Sequence, residues 1–102
     1  MKTGHKLQLI CPATGQMFKE LPYHDLDEAN AMLRVAGEAQ QQWKQTTLSQ
    51  RIGSIETVMD YFKENRESIA RDITLQMGKP ISQSKNEVNA MIQRSKVICG
   101  LA

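Results

Sequence analysis

The chain opens with residues of alternating polarity and then changes to a helical spacing of apolar positions. Residues 6–10 alternate between polar and apolar side chains, and residues 16–21 have the composition of a return strand. Between them, Pro12 fixes φ and Gly15 accepts a positive φ, which suits a type I turn that closes on a bulge. The pattern predicts a β-hairpin within residues 1–22.

Three segments after the hairpin have apolar positions spaced by three and four, the period of an amphipathic helix. They span residues 25–45, 47–77 and 82–99. The middle segment is expected to kink near Asn65, and Gly78 followed by a proline predicts where it stops. The predicted fold is therefore mainly α, an N-terminal β-hairpin followed by three helices.

Polar residues at the starts of these segments predict how the helices are capped. Asp25 with an acidic residue three positions on has the form of a capping box, and Thr47 offers an N-cap for the second helix. For the third helix, Ser84 and Glu87 allow another capping box, although a start near Ser82 is also open.

The apolar stripes also predict how the helices pack. The first helix is expected to pack partly on the second, and the third is expected to turn one apolar side inward. The contacts predicted between the first two helices join Leu33, Ala36 and Trp43 to Ile55, Met59 and Phe62. The inner side predicted for the third helix comprises Val88, Met91, Ile92, Ser95, Ile98 and Cys99.

Composition places the chain among ordinary soluble proteins and narrows its partners. Its 102 residues fit one small domain, and 13 basic against 11 acidic side chains give a formal net charge of +2. No basic block is interleaved with aromatic residues, and no apolar run approaches the length of a transmembrane helix. We therefore expect a cytoplasmic protein that binds neither nucleic acid nor a membrane.

The residues that could carry chemistry do not form a catalytic or metal-binding pattern. Cys11 and Cys99 lie far apart in the sequence without C-x-x-C spacing, which favours two reduced thiols. Neither His5 nor His24 is tied to a cysteine or accompanied by a ligand cluster. No glycine-rich phosphate loop is present either. The residues themselves thus indicate no catalytic, cofactor-binding or metal site.

Four short motifs in register resemble the start of aldehyde dehydrogenases. The four motifs occur in the same order and with the same spacing as in that family, over nearly the whole chain. The matching stretches are Cys11-Pro12-Ala13-Thr14-Gly15-Gln16; Leu21-Pro22-Tyr23 with the helix that ends at Trp43; Arg51-Ile52; and Ile73-Thr74 to Met77-Gly78-Lys79-Pro80-Ile81 with Glu87-Val88. The short leader and the M-G-K-P-I stretch are most similar to succinate-semialdehyde-type members.

The resemblance implies a function for the complete enzyme and a structural role for this segment. Family members oxidise an aldehyde to a carboxylic acid with NAD or NADP, through a thiohemiacetal on a cysteine. Their nucleophile, base and cofactor-binding residues all lie downstream of the matched region, and neither Cys11 nor Cys99 matches the nucleophile's motif. The chain is expected to resemble the N-terminal part of the α/β cofactor domain and to bind no cofactor alone.

Two pairs of positions correspond to family sites. Asn86 and Ala90 match positions that line part of the substrate entrance. In many members an acidic residue, together with the backbone carbonyl matching Ile10, holds a structural monovalent cation. Gln76 stands at that acidic position, and a neutral amide is a weaker ligand for a hard cation. The resemblance therefore implies a substrate-entrance role for two residues and no metal site.

Two hypotheses follow for the role of the chain. In the first, it is an N-terminal fragment of an aldehyde dehydrogenase and is inactive without the catalytic remainder. In the second, it is a free-standing helical interaction module derived from that family, which binds a partner through its uncovered helix faces. Both predict exposed apolar stripes, with the remainder of the enzyme or a second copy as the partner. A chain in isolation is expected to self-associate by edge pairing or helix exchange.

Overall fold

The computed structural model describes residues 5–102, which form a hairpin followed by helices. The elements are β1 (Lys6–Ile10), β2 (Met17–Pro22), α1 (Leu26–Trp43), α2 (Leu48–Glu64), α3 (Arg66–Met77) and α4 (Ile81–Leu101). The predicted fold class, mainly helical with an N-terminal antiparallel hairpin, is confirmed. Residues 1–4 of the predicted hairpin segment lie outside the described residues.

The structure has four helices in residues 5–102 where the sequence predicted three, because the segment 47–77 divides at Asn65. The backbone of Asn65 leaves helical geometry, with φ −107° and ψ 17°. Its backbone N–H and its side-chain Nδ2 both donate to the carbonyl of Tyr61, each at 3.0 Å, and so end α2. The predicted kink is thus a helix boundary, and the other predicted helix ends lie within two residues of the observed ones.

Local capping fixes the starts of the first two helices as predicted. Asp25 Oδ1 accepts a hydrogen bond from the backbone of Glu28 at 2.8 Å, and the Glu28 carboxylate accepts one in return. Thr47 and Gln50 form the same reciprocal pair at the start of α2. Of the two starts that the sequence left open for the last helix, the one near Ser82 is close to the observed start at Ile81. The capping box at Ser84 is absent, because Ser84 is fully buried inside the helix.

The hairpin loop has the positive φ and the bulge that its sequence predicted. Gly15 has φ +72°, and its N–H donates to the carbonyl of Cys11 at 2.8 Å. Leu9 pairs with Lys19, but Ile10 already pairs with Met17, so one residue of β2 has no opposite partner. The loop therefore closes tightly over Cys11, which is buried.

The most tightly packed contact of the described chain joins α3 to α4. Ala70 and Ser84 are fully buried, and Val88 is almost so. The hydroxyl oxygens of Thr74 and Ser84 lie 2.8 Å apart and share a hydrogen bond across the two helices. Because Ala70 and Ser84 carry small side chains, the two backbones approach closely, and the hydrogen bond satisfies the buried Ser84 hydroxyl.

Polar pairs along the edges of this contact hold the two helices in register. Lys85 Nζ lies 3.0 Å from a Glu67 carboxylate oxygen, and Lys79 pairs with Glu87. All four side chains are exposed, so each pair contributes at most about 1 kcal/mol. Their opposite charges nevertheless favour this alignment of α3 and α4 over a shifted one.

The turn between α3 and α4 also supports the hairpin loop. Gly78 ends α3 in the left-handed region with φ +75°, which confirms the predicted stop. A Cβ atom added to Gly78 would lie 3.3 Å from the Cβ of Pro12. The loop after β1 thus packs directly on the end of α3, which joins the hairpin to the helices.

The predicted packing of α1 on α2 is wrong. No residue of α1 is buried, and the Val35 side chain is 61% exposed. The radius of gyration is 17.8 Å, whereas a compact domain of this size has about 13 Å. The contacts of α2 within the described chain are with α4 and α3 instead. The described chain is therefore an open slab, with extents of 46 × 42 × 18 Å.

Two glycine substitutions test the role of the Gly78 turn. Gly78→Ala forces a side chain into left-handed geometry against Pro12, so we expect the free energy of unfolding to fall by about 1–2 kcal/mol. Gly53 lies within α2 with open space around the added Cβ, so Gly53→Ala is expected to raise it by about 0.5–1 kcal/mol. Denaturant unfolding of both variants measures the difference. Equal effects of the same sign would contradict this account of the turn.

Candidate functional site

The structure places the two cysteines in different surroundings. Cys11 lies in the hairpin loop and Cys99 lies half-buried near the end of α4, and both are free thiols. His24 Nδ1 lies 3.5 Å from the carboxylate of Glu28, at the start of α1. A cysteine nucleophile needs a base within hydrogen-bond reach. His24 therefore pairs with a carboxylate, and it does not serve as the base of a cysteine nucleophile.

The loop around Cys11 favours the thiolate form of that side chain. The hydroxyl of Thr14 and the backbone of Ala13 and Thr14 hydrogen-bond to the sulfur and lower the pKa of the Cys11 thiol. Thr14 Oγ1 also accepts a hydrogen bond from the backbone of Gln16 at 3.2 Å, so its own hydrogen is free to point elsewhere. The loop thus stabilises a negative charge on sulfur without a neighbouring base.

The two residues that match the family's substrate entrance lie on one face of α4. Asn86 and Ala90 are one helical turn apart and both are exposed. Each lies about 160° around the helix from the buried Val88, given about 100° per residue. They therefore project away from the contact with α3, and their role at a substrate entrance stays a prediction.

The residues that match the family's cation site do not fit a hard cation. Gln76 is exposed near the end of α3 and supplies only a neutral amide oxygen. Residues 5–102 hold no cluster of three or more His, Cys, Asp or Glu placed to bind a metal ion. We derive no role for a cation in this segment.

A cleft lies between α2 and α4 of the described chain. It has a volume of about 560 Å³, and it is open to solvent along one side. We call it the α2–α4 cleft. Its apolar floor comprises Ile52, Ile55, Met59, Ile92 and Cys99, and its polar lining includes Glu56, Asp60, Lys63, Ser95 and Lys96. Three residues of the predicted inner side of the third helix thus face this cleft, whereas Met91 and Ile98, which were also predicted to face inward, are exposed.

A second apolar surface lies on α1 and has no packing partner within residues 5–102. We call it the α1 face, and it comprises Ala31, Met32, Val35, Ala36 and Ala39. Met32 and Val35 are both exposed there, and apolar side chains grouped on one face are a candidate contact surface for another part of a protein. The sequence pattern predicted the apolar spacing of α1, but it did not predict that no described element packs on this face.

None of the helices in residues 5–102 has both the length and the hydropathy that crossing a bilayer requires.

Comparison with protein families identifies the fold. The model of the aldehyde dehydrogenase family matches residues 1–102, the whole chain. In structure, the chain resembles an NADP-dependent glyceraldehyde-3-phosphate dehydrogenase from Bacillus halodurans, solved in complex with NADP. The TM-score is 0.85 at 25% sequence identity, over 90% of this chain and 19% of that one.

Curated relatives include several semialdehyde dehydrogenases. A succinate semialdehyde dehydrogenase of Escherichia coli, named for use of NAD(P)+, is 32% identical over 78% of this chain and 17% of its own length. A malonate-semialdehyde dehydrogenase of Bacillus velezensis is 28% identical over 97% of this chain and 20% of its own. The chain therefore spans about a fifth of the length of these relatives, and it matches their N-terminal part.

Titration of the Cys11 thiol tests the effect of its loop. In a Cys99→Ser background, Thr14→Val removes a hydrogen bond to sulfur, so we expect the thiolate absorbance of Cys11 to appear at a higher pH than with Thr14 present. Thr14→Ser keeps the hydroxyl and should keep the original midpoint. An unchanged midpoint in Thr14→Val would contradict the assignment.

The same lowered pKa gives a pH dependence of stability with a defined sign. Between the lowered folded pKa and the unfolded value, only the unfolded chain holds the proton, so stability rises with pH over that window. The contribution is complete above the unfolded pKa and is lost as the pH falls through the folded pKa. Cys11→Ser should remove this rise when the free energy of unfolding is measured across the window.

Proposed function

Because the chain belongs to the aldehyde dehydrogenase family, we propose that it serves as the N-terminal part of an enzyme that oxidises an aldehyde to a carboxylic acid with NAD(P)+. Its part in that enzyme is structural: it supplies the opening hairpin and the helices next to the cofactor domain. The reacting groups belong to the remainder of the polypeptide.

The observation that carries the proposal is the open arrangement of the helices. The hairpin and helices match one fifth of a solved dehydrogenase with a TM-score of 0.85, although α1 buries no residue against the described chain. An α1 face that is uncovered in this segment is what we expect if a further part of a larger protein packs on it. We propose that the remainder of the enzyme is this cover.

The names of the relatives support a substrate class and a cofactor class for the complete enzyme. The relatives that match are named for glutarate, succinate and malonate semialdehydes, and one is named for NAD(P)+. We propose a semialdehyde as substrate, a cytoplasmic location, and NAD or NADP as the group that accepts the hydride. Asn86 and Ala90 would line the substrate entrance from α4.

The downstream reading frame separates the proposal from its alternative. If the coding sequence continues past Ala102 into further motifs of the family, the chain is part of the enzyme. A stop codon followed by unrelated sequence favours a free-standing helical module that binds a partner through the same uncovered faces.

The 102-residue chain alone is expected to show no aldehyde-dependent production of NADH or NADPH. A thiol without a positioned base cannot sustain the family's chemistry, and the neighbours of Cys11 are groups of its own loop. Absorbance assays with succinate, glutarate and malonate semialdehydes check this expectation. Turnover that disappears in Cys11→Ser or Cys99→Ser would overturn the structural role.

A charge on the α1 face tests whether the rest of the enzyme covers it. In the 102-residue chain Val35 is exposed, so Val35→Asp should change the free energy of unfolding by no more than about 0.5 kcal/mol. In the complete enzyme the same charge would be buried without a partner, and we expect a loss of about 2 kcal/mol or more. Gln41→Asp on α1, outside this face, is the control. Equal, small effects of both variants in the complete enzyme would contradict coverage.

A further inference from the structure

One side of α4, turned away from the buried residues of that helix, carries exposed apolar side chains around Arg94. Arg94 is itself exposed, and the residues three and four positions away from it, which are its neighbours on the helix surface, are all apolar. They are Ala90, Met91, Val97 and Ile98, and all four are exposed. The neighbours of Arg94 on its own helix therefore offer it no carboxylate and no side-chain hydrogen-bond acceptor.

The rest of the described chain supplies no partner for this charge either. Glu87 is the acidic residue of α4, and it pairs with Lys79. Lys85 and Arg66 also have partners across the contact between α3 and α4. Within residues 5–102, Arg94 forms no ion pair with any acidic side chain. Its guanidinium is thus a cation among apolar side chains, available to an anion from outside this segment.

Arg94 lies on the same side of α4 as the two residues that match the family's substrate entrance. Asn86, Ala90 and Arg94 follow each other at intervals of four, so each lies about 40° around the helix from the one before. Side chains on a helix lean toward its N-terminus, so the guanidinium of Arg94 reaches over the turn that contains Ala90. Ala90 carries only a methyl group and leaves room for it. Arg94 therefore extends the surface that the two predicted entrance residues form.

This surface has the chemistry that the far end of a semialdehyde requires. The semialdehyde of a dicarboxylic acid has an aldehyde at one end and a carboxylate at the other. Since the aldehyde must reach the reacting groups, the carboxylate must be bound at a separate position. A guanidinium binds a carboxylate through two parallel hydrogen bonds, and the pair is stronger where apolar side chains exclude water. Arg94 and the apolar residues beside it provide both conditions.

We propose that Arg94 binds the carboxylate of a semialdehyde substrate and so favours it over an uncharged aldehyde of the same length. The inference rests on the proposed function, because the oxidation itself belongs to the complete enzyme. Arg94 is assigned as a specificity-determining residue that contacts the substrate away from the reacting atoms. Lys96 is also basic, but it lies about 160° around α4 from Arg94 and lines the α2–α4 cleft instead.

Steady-state kinetics of the complete enzyme test the proposal with paired substrates. One is whichever of succinate, glutarate and malonate semialdehyde the enzyme oxidises best, and the other is the unbranched alkyl aldehyde of the same chain length. Arg94→Gln should lower kcat/KM for the semialdehyde about ten- to hundredfold, mainly through a higher KM, because hydrogen bonds to a charged group are lost. The kcat/KM for the alkyl aldehyde should not fall. Arg94→Lys keeps the charge without the paired donors and should give an intermediate loss.

Lys96→Gln is the matched control, because it removes the same charge from the other side of the same helix. It should leave kcat/KM unchanged for both substrates. A wild-type enzyme that oxidises the alkyl aldehyde as efficiently as the semialdehyde overturns the role of Arg94. So does an Arg94→Gln variant that loses activity equally on both substrates, or on neither. The proposed function survives these results, because the enzyme still oxidises aldehydes. A complete protein that oxidises no aldehyde overturns the proposed function and this assignment together.

Discussion

The close contact between α3 and α4 is the constraint on which the rest of the segment depends. Ala70 and Ser84 are small enough for the two helices to approach, and the Thr74–Ser84 hydrogen bond removes the cost of burying a hydroxyl. The turn at Gly78 follows from this approach, because the chain must reverse within a few residues. The hairpin loop then packs on Gly78 through Pro12, so the strands reach the helices through the same contact.

Beyond this contact, the described chain buries few large side chains. Met59 of α2 is buried, whereas the α1 face and the rim of the α2–α4 cleft remain open. An open slab of this kind forgoes much of the apolar burial that stabilises a domain of its length. Its uncovered faces have different chemistry: the α1 face is uniformly apolar, and the cleft adds unpaired charges.

The sequence predicted those features whose causes are local. The capping box at Asp25, the N-cap at Thr47 and the left-handed end of α3 at Gly78 each depend on residues within one turn, and all three are present. The sequence left Ser84 open as a cap because serine favours that position locally, whereas the buried position of Ser84 involves Thr74, ten residues away. The open position of α1 could not be predicted from the sequence either, because an apolar stripe does not specify which surface packs on it. For the site, the sequence correctly placed Cys99 on the inner side of the last helix, but not the cleft beside it.

The motifs that resemble the family specify packing contacts rather than catalytic groups. The stretch from Cys11 to Gly15 and the stretch from Gly78 to Pro80 are separated by more than sixty residues. In the structure they meet, because Gly78 leaves room for Pro12 at a distance where a side chain would crowd it. Cys11 precedes this proline, and the loop supplies hydrogen bonds to its side chain. A segment without catalytic groups can therefore carry a recognisable family pattern, because the pattern specifies how the hairpin is held against the helices.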